Sequence, residues 1–228
     1  MARPRSNIAP RIVHAARGRF LAEGVDGASL RRIAQEAGTN IGMVYYYFPS
    51  KDDLFLAVVE EVYVALLADL EQALAPALPV AERLAGLYQR LGALSADELL
   101  VLRIVVREVL ASPARLDGLI ERFRRGHLPL VLTLVRDGFA TGFFDAQLPP
   151  LLVTVAMMML GGPAQAILQG LRERLPLPPL PAGRPPAPVL LGILLNGVGA
   201  KAAVPGGQIP APKRPERRPP RPRARKPG

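Results

Sequence analysis

The sequence of 228 residues has no cysteine and only two histidines, His14 and His127. Without cysteine the chain forms no disulfide, thiolate nucleophile or cysteine-ligated metal site. Two imidazoles are too few for most metal centres and catalytic triads. Acidic neighbours such as Asp97 and Glu98 point in different directions on a helix, so paired-carboxylate chemistry has no support. We therefore expect neither an enzyme nor a bound cofactor or metal.

The sequence also shows no leader and no clear membrane span. The opening "MARPRSNIAP" has none of the apolar character of a signal peptide, which favours a cytoplasmic protein. An uncharged run at residues 146–171 is long enough to cross a bilayer. However, Pro-Pro and Gly-Gly-Pro breaks interrupt it, and neither flank carries an aromatic belt or a marked charge bias. A helix buried in a core or a subunit interface explains this run better.

Positive charge is concentrated at the two ends of the chain, whose net charge is +10. Residues 1–51 carry eight Lys or Arg against three acidic residues, and residues 205–228 carry eight against one. The residues between these segments are slightly acidic. Such asymmetry indicates a polyanionic partner at one or both ends.

Apolar residues recur with helical spacing along most of the chain, and no alternating strand pattern competes. Ile8, Ile12, Ala16 and Phe20 define a first helix, which ends near "EGVDG". Further helices are predicted at residues 80–94, 96–111, 114–141, 149–171 and 186–201. Residues 176–188 read as a stiff proline-rich loop, and the Pro/Arg-rich segment 205–228 has too few apolar residues to fold. The predicted fold class is all-α.

Between the first helix and about residue 74, the pattern predicts two short helices followed by a long one. Ser29 can cap the first short helix, and Gly38 can end it. Asn40 can cap the second, which runs through "IGMVYYY", and Ser50 begins the long helix. Two short helices joined by "AGTN" and preceded by a clamping helix make a helix-turn-helix unit. In such a unit the second helix enters the major groove of DNA.

Three consecutive tyrosines, Tyr45, Tyr46 and Tyr47, distinguish that second helix. Neighbours on a helix lie about 100° apart, so three in a row fan over most of the circumference and cannot all face one core. With Val44 and Phe48 directed inward, the tyrosines share the outward arc. Their hydroxyls can bind phosphates, and their rings can pack on sugars and thymine methyl groups. The sequence therefore predicts an aromatic DNA-binding surface.

The segment "SLRRIAQEAGTNIGMVYYYFPSKDDLFLAVVE" resembles the N-terminal DNA-binding domain of TetR-family transcriptional regulators. The shared pattern is a Ser/Thr cap, Ile-Ala, Ala-Gly, a short helix with Gly and Tyr, and Phe-x-Ser/Asn-Lys before a hydrophobic fourth helix. By this resemblance, the DNA-contacting residues are Ser29, Arg31, Asn40, Ile41, Gly42, Met43, Tyr45, Tyr46, Tyr47 and Lys51. Members often carry Lys or Thr in place of Ile41 and Met43, and His in place of Tyr47. Contacts to methyl groups and to the DNA backbone are therefore expected to matter more here.

The resemblance also implies three segments: a helix-turn-helix domain at 1–52, a ligand-binding and dimerisation domain at 53–204, and a disordered basic tail at 205–228. It implies a homodimeric repressor that a small hydrophobic or amphipathic effector releases from double-stranded operator DNA. Dimerisation is expected through helices at about 149–171 and 186–201, whose apolar faces include Leu152, Val155, Met159, Leu190, Ile193 and Leu194. Effector-pocket candidates, chosen from amphipathic position alone, are Tyr88, Ile104, Phe123 and Met158.

Two other classes of protein fit parts of the pattern. A helical enzyme that handles lipid or acyl compounds would use the same apolar cavity. However, the sequence offers no nucleophile–base pair for such an enzyme, and an enzymatic function would leave the helix-turn-helix unexplained. An architectural DNA-binding protein dominated by its basic tail would bind without operator preference. The helix-turn-helix favours a regulator over both.

Overall fold

The structure, a computed structural model, describes residues 7–172, 174–176 and 186–198. In these residues the chain forms ten α-helices, which confirms the predicted all-α class. The helices are α1 Ile8–Gly27, α2 Leu30–Glu36, α3 Ile41–Tyr47, α4 Lys51–Ala73, α5 Val80–Gly92, α6 Ala96–Ala111, α7 Pro113–Arg124, α8 Leu128–Ala140, α9 Pro150–Arg172 and α10 Pro186–Val198. The predicted tail at 205–228 and most of the proline-rich loop lie outside the described residues.

Local sequence signals determine where the N-terminal helices begin and end. Asn40 Oδ1 accepts the Met43 N–H at 3.0 Å and caps α3, as predicted. Ser50 and Asp53 exchange hydrogen bonds in a capping box that begins α4. Gly38 follows α2 with a φ of 60°, a left-handed conformation that favours glycine. Ser29 stands at the N-cap position of α2, but its side chain makes no capping hydrogen bond, so that part of the prediction is wrong.

The single helix predicted at 114–141 is instead two helices, α7 and α8. Between them the Gly126 N–H donates to the Phe123 carbonyl at 3.0 Å, which closes a turn. Pro129 lies in the first turn of α8, where a missing N–H costs nothing. A β-carbon at Gly126 would collide with the Tyr63 hydroxyl of α4, so close packing also requires this glycine. Gly126 and Pro129, residue types that commonly mark a helix boundary, stand at this break in the sequence.

The helices enclose two clusters of buried apolar side chains. The first cluster joins α1–α4 to α6 and α7 and includes Phe20 and Phe55. The second cluster is built from the end of α4 together with α5, α8, α9 and α10, and includes Phe144. Because α4 contributes to both clusters, it connects the helix-turn-helix end of the molecule to the C-terminal helices. The first cluster extends across residues 52 and 53, and the division into domains at that point stays a prediction.

Helix α9 contains the long apolar run seen in the sequence. Its segment Pro150–Leu168 is long and apolar enough to cross a membrane by length and composition. In the structure α9 packs against α5, α6, α8 and α10, and it contributes Val153 and Met157 to the second cluster. The helix is therefore part of the folded core, with a second apolar face left exposed.

His127, at the break between α7 and α8, is partly buried. The Tyr63 hydroxyl accepts the His127 backbone N–H at 3.1 Å and lies 2.7 Å from Nδ1. The hydroxyl and Nδ1 form a second hydrogen bond, whose direction depends on the tautomer of the imidazole. Burial lowers the pKa of His127 to about 4, and the nearby Arg122 guanidinium acts in the same direction.

We expect His127 to make the protein less stable as the pH falls. The unfolded imidazole takes up a proton near its ordinary pKa of 6.5, whereas the folded one stays neutral until about pH 4. The unfolded state thus binds more protons between these values, and the free energy of unfolding falls by up to about 3 kcal/mol. Urea unfolding at pH 7 and pH 4.5 should therefore show a smaller pH-dependent loss for His127→Gln than for the wild type.

The control for this measurement is His14→Gln, because His14 is an exposed side chain of α1. The control should keep the full wild-type loss. The carboxylates contribute equally to the pH-dependent loss of stability in all three proteins, so their contribution cancels in the comparison. Equal losses in the wild type and in His127→Gln would contradict the assignment.

Candidate DNA-binding surface

The predicted helix-turn-helix is formed by α2 and α3, which share a small apolar contact. Ile33, Ala34 and Ala37 on one side and Val44 on the other are all buried. The Thr39 N–H donates to the Ala34 carbonyl at 2.9 Å and tightens the turn. Helix α1 packs against both short helices. The inner face of α3 is thereby fixed, and its outer face is left to solvent.

The three tyrosines divide between solvent and packing. Tyr46 is 76% exposed and Tyr45 is 52% exposed. Tyr47 is half-buried, with its ring edge-on to Tyr46 at 5.1 Å between centroids and tilted against Phe48 at 6.3 Å. Tyrosine rings that present an apolar body and a polar tip to the outside are typical of contact surfaces. The outer face of α3 is accordingly a platform of two exposed tyrosines supported by a third.

The leading end of α3 is open as well. Asn40 and Gly42 are exposed, while Ile41 and Met43 are partly exposed, with Ile41 packed against the first cluster. A β-carbon at Gly42 would lie 3.1 Å from Asn40 Oδ1, so a larger residue would crowd the cap as well as the outer surface. All ten predicted DNA-contacting residues are exposed or partly exposed: Ser29, Arg31, Asn40, Ile41, Gly42, Met43, Tyr45, Tyr46, Tyr47 and Lys51.

The arginines near this surface have different roles. Arg19 is paired with Glu23 at 2.7 Å and with Glu36, and it lowers the pKa of the Glu36 carboxyl. Its charge is therefore compensated within the protein. Arg31 and Arg32 are exposed on α2, beside α3. Arg32 lies 4.0 Å from Glu23, so Arg31 is the better candidate to offer its charge to a partner.

Lys51 has an intramolecular contact that the sequence did not indicate. Its Nζ donates to the Asp26 carbonyl at 2.7 Å, which ties the start of α4 to the end of α1. An ammonium has three hydrogens, so two remain for a phosphate. The predicted backbone contact is compatible with this arrangement, and the Asp26 carbonyl fixes the direction of the ammonium.

The four effector-pocket candidates are not gathered in one place. Tyr88 is fully buried in the second cluster, where its hydroxyl donates to the Met157 carbonyl at 3.3 Å. Burial raises the pKa of Tyr88 to about 12. Ile104 is buried in the first cluster and Phe123 packs against it, whereas Met158 is partly exposed on α9. The structure thus divides the buried candidates between two clusters, and their role in an effector pocket stays a prediction.

The six predicted interface residues differ in exposure. Four are exposed apolar side chains on α9 and α10: Leu152, Val155, Met159 and Ile193. Leu190 is partly buried and packs against the second cluster. The prediction for Leu194 is corrected. This side chain is 2% exposed inside the chain's own core and presents almost no surface to another molecule. Helix α10 packs against α5 and α9, and this packing buries the Leu194 side of the helix.

Comparison with known proteins assigns this N-terminal arrangement to a family. A family model for bacterial regulatory proteins of the tetR family matches residues 12–58, which contain the helix-turn-helix and the helices that flank it. The helix-turn-helix region of this chain is of the TetR type. This confirms the resemblance that the segment from Ser29 to Glu60 suggested.

Individual relatives extend the comparison beyond the N-terminal domain. The chain is 40% identical over 65 residues to the HTH-type transcriptional repressor NicS of Pseudomonas putida, over 24% of this chain and 31% of NicS. It resembles the structure of SmeT, repressor of the Stenotrophomonas maltophilia multidrug efflux pump SmeDEF, with 24% identity and a TM-score of 0.59 over 90% of this chain and 96% of SmeT. It also resembles FadR from Bacillus subtilis in complex with stearoyl-CoA, with 18% identity and a TM-score of 0.66 over 82% and 98%. These structural matches show a shared fold that includes the C-terminal helices.

Proposed function

We propose that the protein is a sequence-specific DNA-binding transcriptional repressor, the activity that the name of NicS states for that relative. The exposed tyrosine face of α3 on a TetR-family helix-turn-helix carries this proposal. The helix would enter the major groove with Asn40, Gly42 and Met43 at base edges. The tyrosine hydroxyls, with Arg31 and Lys51, would hold phosphates and set the position of the helix.

The protein would act as a homodimer through α9 and α10. Support comes from the exposed apolar face on these helices, since Leu152, Val155, Met159 and Ile193 are not needed for the core of one chain. Val155→Glu should therefore shift the protein to a monomer in sedimentation. Val64→Glu, at an exposed position of α4, is the matched control and should leave the assembly unchanged. Identical sedimentation of both variants would argue against this interface.

A selected operator provides the direct test of the proposed function. The wild-type protein should enrich a near-palindromic sequence from a pool of randomised duplexes. Its half-sites should lie about one helical turn apart or somewhat more, because the two α3 helices of a dimer lie on one face. Footprinting on the enriched duplex should protect both half-sites. Uniform protection of every duplex would mean binding without sequence preference, and the proposal would fail.

A small hydrophobic or amphipathic effector would release the protein from DNA. The structural relatives include a SmeT–triclosan complex and FadR with stearoyl-CoA, both with ligands of this character. Helix α4 would transmit the signal, since it begins three residues after α3 and ends in the second cluster. A coupling of about 1–3 kcal/mol is typical, and operator DNA must weaken effector binding by the same factor. A ligand with equal affinity in calorimetric titrations with and without the operator would not be an inducer.

A further inference from the structure

Arg115, in the first turn of α7, is only 5% exposed and binds carboxylates from three other helices. Its Nε donates to Asp52 Oδ1 of α4 at 2.8 Å. Its Nη1 donates to Glu108 Oε2 of α6 at 2.6 Å and to Asp26 Oδ2 of α1 at 3.2 Å. Its Nη2 donates to the other oxygen of Asp26. One guanidinium therefore joins α1, α4, α6 and α7.

Two of these carboxylates lie on either side of the helix-turn-helix in the sequence. Asp26 follows the kink of α1 at Gly24, where φ is 81°, and precedes α2. Asp52 lies in the first turn of α4, shortly after the end of α3. The Arg115 guanidinium therefore binds one residue just before the α2–α3 unit and one residue just after it. The bond from Lys51 Nζ to the Asp26 carbonyl joins the same two points directly.

The three carboxylates differ in burial. This difference separates a role in the stability of the protein from a role in orienting the helix-turn-helix. The Glu108 side chain is 3% exposed, against 46% for Asp52 and 76% for Asp26. Glu108 is the buried partner of Arg115 among the three, and it also accepts the Val25 N–H at 3.2 Å. Because Asp26 and Asp52 are much more exposed than Glu108, we expect each to contribute less than Glu108 to the free energy of folding. Both aspartates join the segments that flank the helix-turn-helix to Arg115 in α7.

We propose that Arg115 is a positioning residue for DNA binding. Arg115 binds Asp26 and Asp52 and is itself bound by the buried Glu108 of α6. These contacts keep α3 in one orientation relative to α6 and α7. This inference rests on the proposed function, because it concerns how a DNA-binding helix is presented. The ion pairs of Arg115 go to α1, α4 and α6, so it would act on α3 through the segments that flank the unit.

The test removes the two exposed aspartates and leaves the buried pair intact. The full chain carrying Asp26→Asn and Asp52→Asn is titrated with the duplex that the wild type selects and with a scrambled duplex of equal length. Loss of two negative charges should by itself strengthen DNA binding. The inference instead predicts that affinity for the selected duplex falls by about fivefold or more, with affinity for the scrambled duplex unchanged or higher.

The matched control also removes two acids that pair with α7 arginines. Glu60 binds Arg122, and Glu121 binds Arg124 and Arg125, so Glu60→Gln with Glu121→Gln removes equal charge at other contacts of α7. The control should keep the wild-type preference for the selected duplex, and both double variants should share the same unfolding midpoint.

Wild-type or stronger affinity of the aspartate variant for the selected duplex would overturn the inference. So would a loss of affinity matched by an unfolding midpoint well below that of the control. A wild type that selects no duplex would instead overturn the proposed function, and the inference with it.

Discussion

Replacing both Tyr45 and Tyr46 with alanine should lower affinity for the selected operator by about 100-fold, since single base or backbone contacts contribute about 1–3 kcal/mol. Both rings are exposed in the free protein, so their loss creates no cavity. Alanine also has the higher helix propensity, which protects the short helix α3. The unfolding midpoint should therefore stay close to that of the wild type, and the loss should be confined to DNA binding.

Titration of a labelled operator duplex measures this effect, and Val64→Ala is the control for removing an exposed apolar side chain elsewhere. Tyr46→Phe separates the two functions of the ring, because it removes the hydroxyl alone. If the hydroxyl holds a phosphate, this change should weaken binding to all sequences alike. An unchanged affinity in the double alanine variant would exclude the outer face of α3 as the contact surface.

Glu108→Ala should have the largest effect on stability. It leaves the Arg115 guanidinium buried with only the two exposed aspartates, and it removes the acceptor of the Val25 N–H and of Arg107 Nε, 3.0 Å away. Breaking a buried ion pair from one side typically costs about 3–5 kcal/mol. A small domain has about 5–15 kcal/mol in all, so the variant should unfold at much lower urea concentration.

Glu121→Ala on α7 is the control for this experiment, since its pairs with Arg124 and Arg125 are exposed. That change should cost less than about 1 kcal/mol. Glu108→Gln should fall between the two, because the amide retains a carbonyl acceptor but loses the charge. Equal midpoints for Glu108→Ala and Glu121→Ala would show that the buried network contributes nothing to folding.

The helix-turn-helix was predictable because its determinants are local. Asn40 and Ser50 act as caps within three residues of their partners, and the conformation of Gly38 ends α2. The spacing of Ile33 and Val44 similarly indicates which faces of α2 and α3 are buried. Such signals depend on neighbouring residues alone, so a single sequence is enough to read them.

The contacts that were not predicted join distant parts of the chain. Asp26 and Arg115 are 89 positions apart, and Asp52 and Arg115 are 63 apart, so helical spacing cannot pair them. The distribution of the pocket candidates over two clusters was not predicted for a related reason. Amphipathic position shows which face of a helix is apolar, but Tyr88 and Ile104 enter different clusters. Leu194 was misassigned because an apolar face looks the same whether α10 packs on its own chain or on another.

The positions of the tyrosines also determine which parts of the protein give rise to its intrinsic fluorescence. The chain has no tryptophan, so its ultraviolet fluorescence comes from five tyrosines. Tyr63 and Tyr88 are buried in the body, while Tyr45 and Tyr46 stand exposed on α3. A nucleobase that approaches these rings would quench their emission at the site of contact. Helix α3 therefore carries its own optical reporter, with which the proposed DNA binding of unlabelled protein can be followed.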